Sequence, residues 1–116
     1  MSSHNIFEFP FGEIYTLYLS KIQKKGRTEQ ELRQVITWLT GYSEEELNIK
    51  RTDDSTMENF FTSAPQLQPN RTLITRTICG TKLQDIVDPL MLEIRYLDKL
   101  VDEIAKGKVM EKILRK

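Results

Sequence analysis

The chain contains one histidine, His4, and one cysteine, Cys79, the side-chain types most often used as general base and as nucleophile. His4 lies within residues 1–6, which we predict to be frayed, and a frayed terminus cannot hold a base in position. Zinc needs several cysteine or histidine ligands, whereas this chain offers one of each, far apart. The residue types therefore predict neither histidine-based catalysis nor a transition-metal site.

Cys79 is the best nucleophile candidate by elimination, and it directly precedes Gly80. If residues 72–79 form a helix, Cys79 lies at its C-terminal end, where the helix dipole raises the pKa of a thiol. Arg76, three residues earlier, would offset part of that rise. The ordinary interpretation, which we favour, is a small buried thiol that packs like an apolar side chain.

Glu93 is the candidate carboxylate, because on a helical wheel it falls between Leu100 and Ile104, inside an apolar arc. A buried carboxylate must be paired or protonated, and either state can mark a functional pocket. The arginine of the same helix projects from the other rim. The partner must therefore come from another helix, for which Arg33 and Arg71 are the candidates.

Two interpretations of Glu93 follow. In the first, Glu93, Tyr96, Cys79 and Arg76 form the ligand pocket of a small enzyme or ligand-binding protein. Selective chemical labelling of Cys79 at neutral pH would favour that interpretation. In the second, which we favour, Glu93 makes a structural ion pair or an interface contact.

We expect neither a metal ion nor a cofactor from the remaining motifs. The spacing of four aspartates does not match an EF-hand loop, and each has a helix-capping or turn explanation; they are Asp53, Asp54, Asp85 and Asp88. The five glycines mostly mark helix ends and form no phosphate-binding loop. The aromatic residues recur at helical spacing among aliphatic ones, which is typical of a core.

The helix that would carry Glu93 spans residues 89–106 and has an unusually wide apolar face. Its apolar side chains recur at heptad steps and cover an arc of roughly 220°, against the ~100° that a surface helix needs. Such a helix is either the centre of a small bundle or part of a subunit interface. For the second case, we predict a homodimer seam through the C-terminal helix and tail, at Leu97, Val101, Ile104 and Met110.

The other helices are predicted from their end signals. Capping boxes begin at Thr28, Ser43 and Ser55, and each predicts a helix start. A further helix follows Pro10 and ends at Gly26, and the second helix covers residues 29–40. A fourth short helix follows Ser55 and ends before the proline at position 65.

The segment of residues 72–79 is ambiguous. Its β-branched residues suit a strand, but residues 5–9 offer only a poor partner, so we predict a short helix. Residues 82–87 are predicted as another helical turn, after which Asp88 caps the long helix. Whether Gly107 breaks that helix stays open. Together these signals predict an all-α fold, a single compact domain of five to seven helices over residues 1–116.

The charge and composition are those of an ordinary protein whose net charge is close to zero. Seventeen basic residues balance 17 acidic ones, so nothing draws the chain towards nucleic acid or membrane. No stretch approaches the ~20 apolar residues that span a bilayer. The single cysteine and the absence of a signal-like start favour a cytoplasmic protein.

Charge is nevertheless segregated along the chain. Residues 43–58 contain six acids against two bases, and residues 106–116 contain five bases against one acid. DNA binding is disfavoured, because the helix in the recognition position of a helix-turn-helix would present Glu44, Glu45 and Glu46 to the DNA backbone. A nucleic-acid accessory role through the basic tail is therefore the third interpretation, and mutual attraction of the two stretches is favoured over it.

A series of short motifs resembles one known family. In order they are Trp38-Leu39-Thr40-Gly41-Tyr42, Ile78-Cys79-Gly80, Asp88-Pro89-Leu90-Met91, residues 94–100, Ala105-Lys106-Gly107-Lys108 and residues 110–115. With this spacing the chain closely resembles the bacterial "domain of unknown function 2200" family. The resemblance implies a small, mainly helical, bacterial cytoplasmic protein. It implies no activity, so no functional residue is carried over.

From the residues we therefore expect a non-enzymatic binding or interaction module. It has wide apolar surface, opposed charge patches and little catalytic apparatus. Self-association is the expected partnership, nucleic acid is not expected, and the alternative is the ligand pocket near Glu93, Tyr96 and Cys79.

Overall fold

Helices make up most of the computed structural model, which describes residues 3–74, 77–78, 81–82, 86 and 88–115. Six of the elements in these ranges are α-helices, which confirms the all-α fold. In chain order the elements are a 3₁₀ helix at Ser3–Glu8, α1 at Phe11–Gln23, α2 at Glu29–Thr40, α3 at Glu44–Thr52, α4 at Met57–Thr62, a 3₁₀ helix at Pro69–Leu73, β1 at Thr77–Ile78, β2 at Thr81–Lys82, α5 at Pro89–Ala105 and α6 at Met110–Ile113.

Capping chemistry starts the helices largely as predicted. Thr28 and Ser43 each accept a hydrogen bond from the backbone N–H three residues on, and a glutamate there reaches back to the cap. For α4 the box lies one residue later than predicted, at Thr56 with Asn59. The reason is that the Ser55 hydroxyl donates to Asp53 at 2.5 Å instead.

The long helix α5 lies at the centre of the fold. Asp88 caps it by accepting from the backbone N–H groups of Leu90 and Met91, and Pro89 is its first residue, as predicted. Around it pack α1, α2, α4 and α6. The wide apolar arc is therefore filled from several sides at once.

Gly107 does break the C-terminal helix. Its φ of 89° is left-handed, a conformation that glycine adopts without a steric penalty. The backbone N–H of Lys108 donates to the carbonyl of Glu103, and that of Gly107 donates to Ile104, which is the Schellman arrangement. The tail then restarts as α6 at Met110.

The prediction of a helix over residues 72–79 is wrong at Thr77–Ile78, whereas Thr72 and Leu73 end the second 3₁₀ helix. Thr77–Ile78 is instead a strand paired antiparallel with Thr81–Lys82, in a register that joins Ile78 to Thr81. The partner strand follows closely in the sequence, so the β-branched residues form a strand without pairing to a distant segment such as residues 5–9. Since Lys82 lies in this second strand, the helical turn predicted for residues 82–87 does not begin there.

The described part of the chain begins with a 3₁₀ helix at Ser3–Glu8, which overlaps the residues predicted to be frayed. Its Ile6 and Phe7 pack partly buried against the core. An isolated antiparallel bridge between Pro10 and Thr56 then ties this end to the start of α4.

The core is built from aliphatic side chains of α2 and α5 and from stacked aromatic rings. Phe11 and Phe60 stack with ring centroids 3.8 Å apart, and the Tyr42 hydroxyl donates to the backbone carbonyl of Phe60 at 2.7 Å. Because Tyr42 is buried, its pKa is raised to about 12, and the charges of Glu46 and Asp53 add to that rise.

The residues predicted at a homodimer seam lie in this core. Leu97 and Ile104 are fully buried and Val101 is 1% exposed, all within one copy of the chain, and Met110 is partly buried. A seam through these side chains would require the bundle to open. The wide arc of α5 is covered by helices of its own chain, which places these side chains in the core of one copy. Self-association itself stays a prediction.

Replacing Gly12 with alanine should destabilise the protein by about 2–3 kcal/mol, because α1 and α3 touch at this residue. An added Cβ would lie 2.2 Å from the backbone oxygen of Arg51. The sign is diagnostic, since glycine to alanine within a helix ordinarily stabilises by roughly 0.5–1 kcal/mol. Urea unfolding of Gly12→Ala measures the change, with the exposed Ser20→Ala in the same helix as control. A stabilised Gly12→Ala protein would show that the two helices are not in contact.

Candidate functional site

Glu93 makes an ion pair with Arg71, one of the two partners named from the sequence. The Nε of Arg71 lies 2.8 Å from Oε1 of Glu93, and its Nη2 lies 3.0 Å from Oε2. A third donor of the guanidinium, Nη1, bonds the backbone carbonyl of Gln68 at 2.9 Å. Arg33, the other candidate, pairs with Glu44 instead, at 2.6 Å. The geometry is that of a bidentate structural ion pair.

The rest of the predicted ligand pocket is only partly described. Tyr96 is buried, and burial raises its pKa; the charge of Glu93 adds to this and that of Arg71 opposes it. Cys79 and Arg76 lie outside the described residues. Beside Glu93 there is a cavity of about 230 Å³, lined by Phe61, Thr62, Pro89, Leu90 and Glu93. Tyr96 is not among the residues that line this cavity.

A second polar cluster centres on Tyr15 and was not found from the sequence. The Tyr15 hydroxyl donates to Oε2 of Glu29 at 2.6 Å and accepts from Nη1 of Arg33 at 3.3 Å. The guanidinium of Arg51 lies over the ring, 4.1 Å from its centroid. Burial and the hydrogen bond to Glu29 raise the pKa of Tyr15 to about 12. The cluster joins three helices, so no spacing along one segment could have indicated it.

Next to this cluster lies an open groove, which we call the α1–α3 groove. Its volume is about 470 Å³, and it is lined by Pro10, Gly12, Glu13, Thr16, Leu17, Arg51 and Asp54. Leu17 is 63% exposed, a large fraction for a leucine. Asp54 has a φ of 65°, which few residues other than glycine, asparagine and aspartate adopt. The groove therefore combines an exposed apolar side chain with two carboxylates.

Glu103, near the end of α5, holds the most buried carboxylate in the described ranges. Arg115 binds it with two parallel bonds of 2.6 and 2.8 Å, and Lys108 lies 3.3 Å from Oε2. Burial raises its pKa, but the hydrogen bonds and charges of Arg115 and Lys108 outweigh burial and hold the pKa below its usual range. The signal was present in the sequence: Glu103 follows Tyr96 and Leu100 by seven and three residues, on the buried face.

The four candidate aspartates act as turn and cap residues where they are described. Asp88 caps α5, and Asp53 accepts from the backbone and side chain of Ser55. Asp54 lies in the left-handed turn, and Asp85 is outside the described residues. Across the described ranges, no three histidine, cysteine, aspartate or glutamate side chains come together as a metal site would need.

No helix within the described residues has the length and apolar character needed to cross a membrane.

Comparison with known proteins gives a family without an activity. A family described as "Uncharacterized protein conserved in bacteria (DUF2200)" matches residues 5–115. The fold is similar to that of a crystal structure described as uncharacterized protein SP1917, with a TM-score of 0.92 and 40% sequence identity over 97% of this chain and 93% of that one. No curated protein matches. On this match over almost its whole length, the chain belongs to the DUF2200 family.

Proposed function

We propose that this protein is a non-enzymatic interaction module that associates with a second copy of itself through opposite charges. The acidic side is the α1–α3 groove, and the basic side is the basic end, defined as Lys106, Lys108, Lys112 and Arg115. The observation that carries the proposal is the separation of these charges on the surface. Within the described residues, no ion pair joins the groove to the basic end.

The groove offers both charge and apolar surface. Glu13 and Asp54 are exposed on its rim, and the five other carboxylates of residues 43–58 extend the negative surface beyond it. Arg51 is engaged with Glu29 at 3.7 Å and with the Tyr15 ring, so its charge is partly satisfied within the chain. Leu17 gives a partner an apolar contact. Complementary charge around such a contact favours rapid and specific encounter.

The basic end has the matching character. Lys112 is exposed on α6, and Val109 beside it is 53% exposed, an apolar counterpart to Leu17. Because every chain carries both surfaces, two copies could exchange both contacts around a two-fold axis. Arg115 is held by Glu103 and is not part of a free arm. This tethering favours docking of a folded surface over wrapping of nucleic acid by the tail.

The buried carboxylates of α5 favour binding over catalysis. Glu93 and Glu103 are each paired with an arginine at short distance. The pKa of Glu103 is held below its usual range, which makes this carboxylate a poor proton carrier, because a general acid or base works best with a pKa near the operating pH. We place the interaction in the cytoplasm, where a single cysteine fits the reducing conditions.

Charge reversal on either side should weaken self-association about tenfold or more, because each reversal turns attraction into repulsion. Light scattering after size exclusion, at low salt and over a range of protein concentrations, measures the mass of Glu13→Lys and of Lys112→Glu separately. An equimolar mixture of the two variants should recover the wild-type mass, because the reversed charges then face each other. Rising salt should dissociate the wild-type dimer.

Lys25→Glu is the matched control, because Lys25 is exposed and belongs to neither surface. Its mass should equal that of the wild type. A wild-type protein that is monomeric at low salt and high concentration would overturn the proposal. So would a dimer that survives high salt and ignores both reversals.

A further inference from the structure

A second cavity lies at the C-terminal end of α5, away from the residues that line the α1–α3 groove. Its volume is about 310 Å³, within the lower range of small-ligand sites. It is lined by Lys99, Glu103, Lys106, Gly107 and Lys108. Three of these five residues are lysines, and Gly107 turns the chain there without adding a side chain.

Cations outnumber carboxylates around this cavity. Asp102 is shared by Lys21 at 3.7 Å and Lys106 at 3.1 Å. Glu103 is likewise shared by Lys108 and Arg115, at 3.3 and 2.6 Å. Four cations therefore surround two carboxylates, and a surplus of two positive charges remains even when Lys99 is left out of the count.

A helix C-terminus ordinarily repels anions, because its last carbonyls carry partial negative charge. Here those carbonyls already have donors. Asp102, Glu103 and Ile104 each accept a backbone N–H from the turn that ends α5. The guanidinium of Arg27 also donates to the carbonyls of Ile104 and Lys108, at 2.8 and 3.0 Å. The carbonyl field at the cavity is thus reduced, and the lysine charges dominate.

We infer that this cavity binds a small molecule through a doubly charged phosphate or pyrophosphate group. Lys106 is the main phosphate-binding residue in this proposal, because its side chain is 72% exposed and its ion pair is with Asp102, which it shares with Lys21. Lys108, the residue after Gly107, also lines the cavity. Ammonium groups bind phosphate as strong point charges. The cavity shares Lys106 and Lys108 with the basic end, but Lys112, the residue tested for self-association, does not line it, so the two proposals can fail separately.

Calorimetric titration of the full chain with inorganic pyrophosphate tests this site. We expect saturable binding with about one ligand per chain, weakened about tenfold in Lys106→Gln. Lys112→Gln removes the same charge from the same end of the molecule and should change the affinity less than about twofold. A second titration uses ribose 5-phosphate. Tighter binding of pyrophosphate would indicate an inorganic ligand, and tighter binding of ribose 5-phosphate would indicate a phosphorylated organic one.

Three results would overturn the inference. One is the absence of saturable binding by either probe. Another is equal weakening in Lys106→Gln and Lys112→Gln, which would mean diffuse attraction to the basic end. The third is tighter binding of a single-stranded oligonucleotide that depends equally on both lysines, which would identify a nucleic-acid surface instead. Both variants alter exposed side chains, so their thermal unfolding should match the wild type and keep the comparison valid.

Discussion

Val101→Glu should destabilise the protein by more than about 4 kcal/mol, a large share of the roughly 5–15 kcal/mol that keeps a domain folded. Val101 is 1% exposed and belongs to the core cluster of α5. A glutamate there would place a carboxylate among apolar side chains, where it must either ionise without a partner or take up a proton at a cost. Urea unfolding followed by circular dichroism measures the loss.

The matched control is Val109→Glu, the same substitution at a valine that is 53% exposed. It should stay within about 0.5 kcal/mol of the wild type. The pair also tests the placement of the wide face of α5. If Val101→Glu stays folded and its mass in solution falls to half that of the wild type, Val101 lies at a subunit interface. That result would contradict its place in the core.

The sequence predicted local features well, because their causes lie within a few residues. Cap residues such as Thr28, Ser43 and Asp88 satisfy backbone groups three positions away, so their signal is complete in a short window. The restart of the chain after Gly107 has the same origin. The all-α class follows from the sum of these signals.

The sequence could not say which surfaces cover a wide apolar face. The sequence correctly predicted a wide apolar face around Leu97 and Val101. The width of that face does not indicate whether helices of the same chain or of another chain pack against it. In the structure the cover is α1, α2, α4 and α6. The two-residue strands were not predicted for a different reason. Each strand is so short that its sequence shows almost no alternating pattern of apolar and polar residues.

The sequence predicted a part of the candidate site only where a charged residue interrupted an apolar helix face. Glu93 did so, and Arg71 was among the partners named for it. The α1–α3 groove was not predicted, because it depends on how closely two helices approach at Gly12, a contact set by tertiary packing. Sequence patterns thus located a buried charge but not a concave surface.

Glu103→Gln should cost about 2–3 kcal/mol at neutral pH, because it leaves Arg115 and Lys108 without their counter-charge. The cost is below that of a fully buried pair, since both cations retain some access to water. Urea unfolding at pH 7 measures it. Glu111→Gln, an exposed glutamate on α6, is the control and should change stability by less than about 0.5 kcal/mol.

The pH dependence of this difference separates charge from packing. The pKa of Glu103 is lowered in the folded protein, so its contribution is present in full above the unfolded pKa of about 4.3 and is lost as the pH falls through the lower folded value. The gap between wild type and Glu103→Gln should therefore be constant from neutral pH down to about pH 5 and then shrink in acid. A gap that stays unchanged in acid would mean that the substitution acts through packing, and that the carboxylate charge does not hold the C-terminal turn to α5.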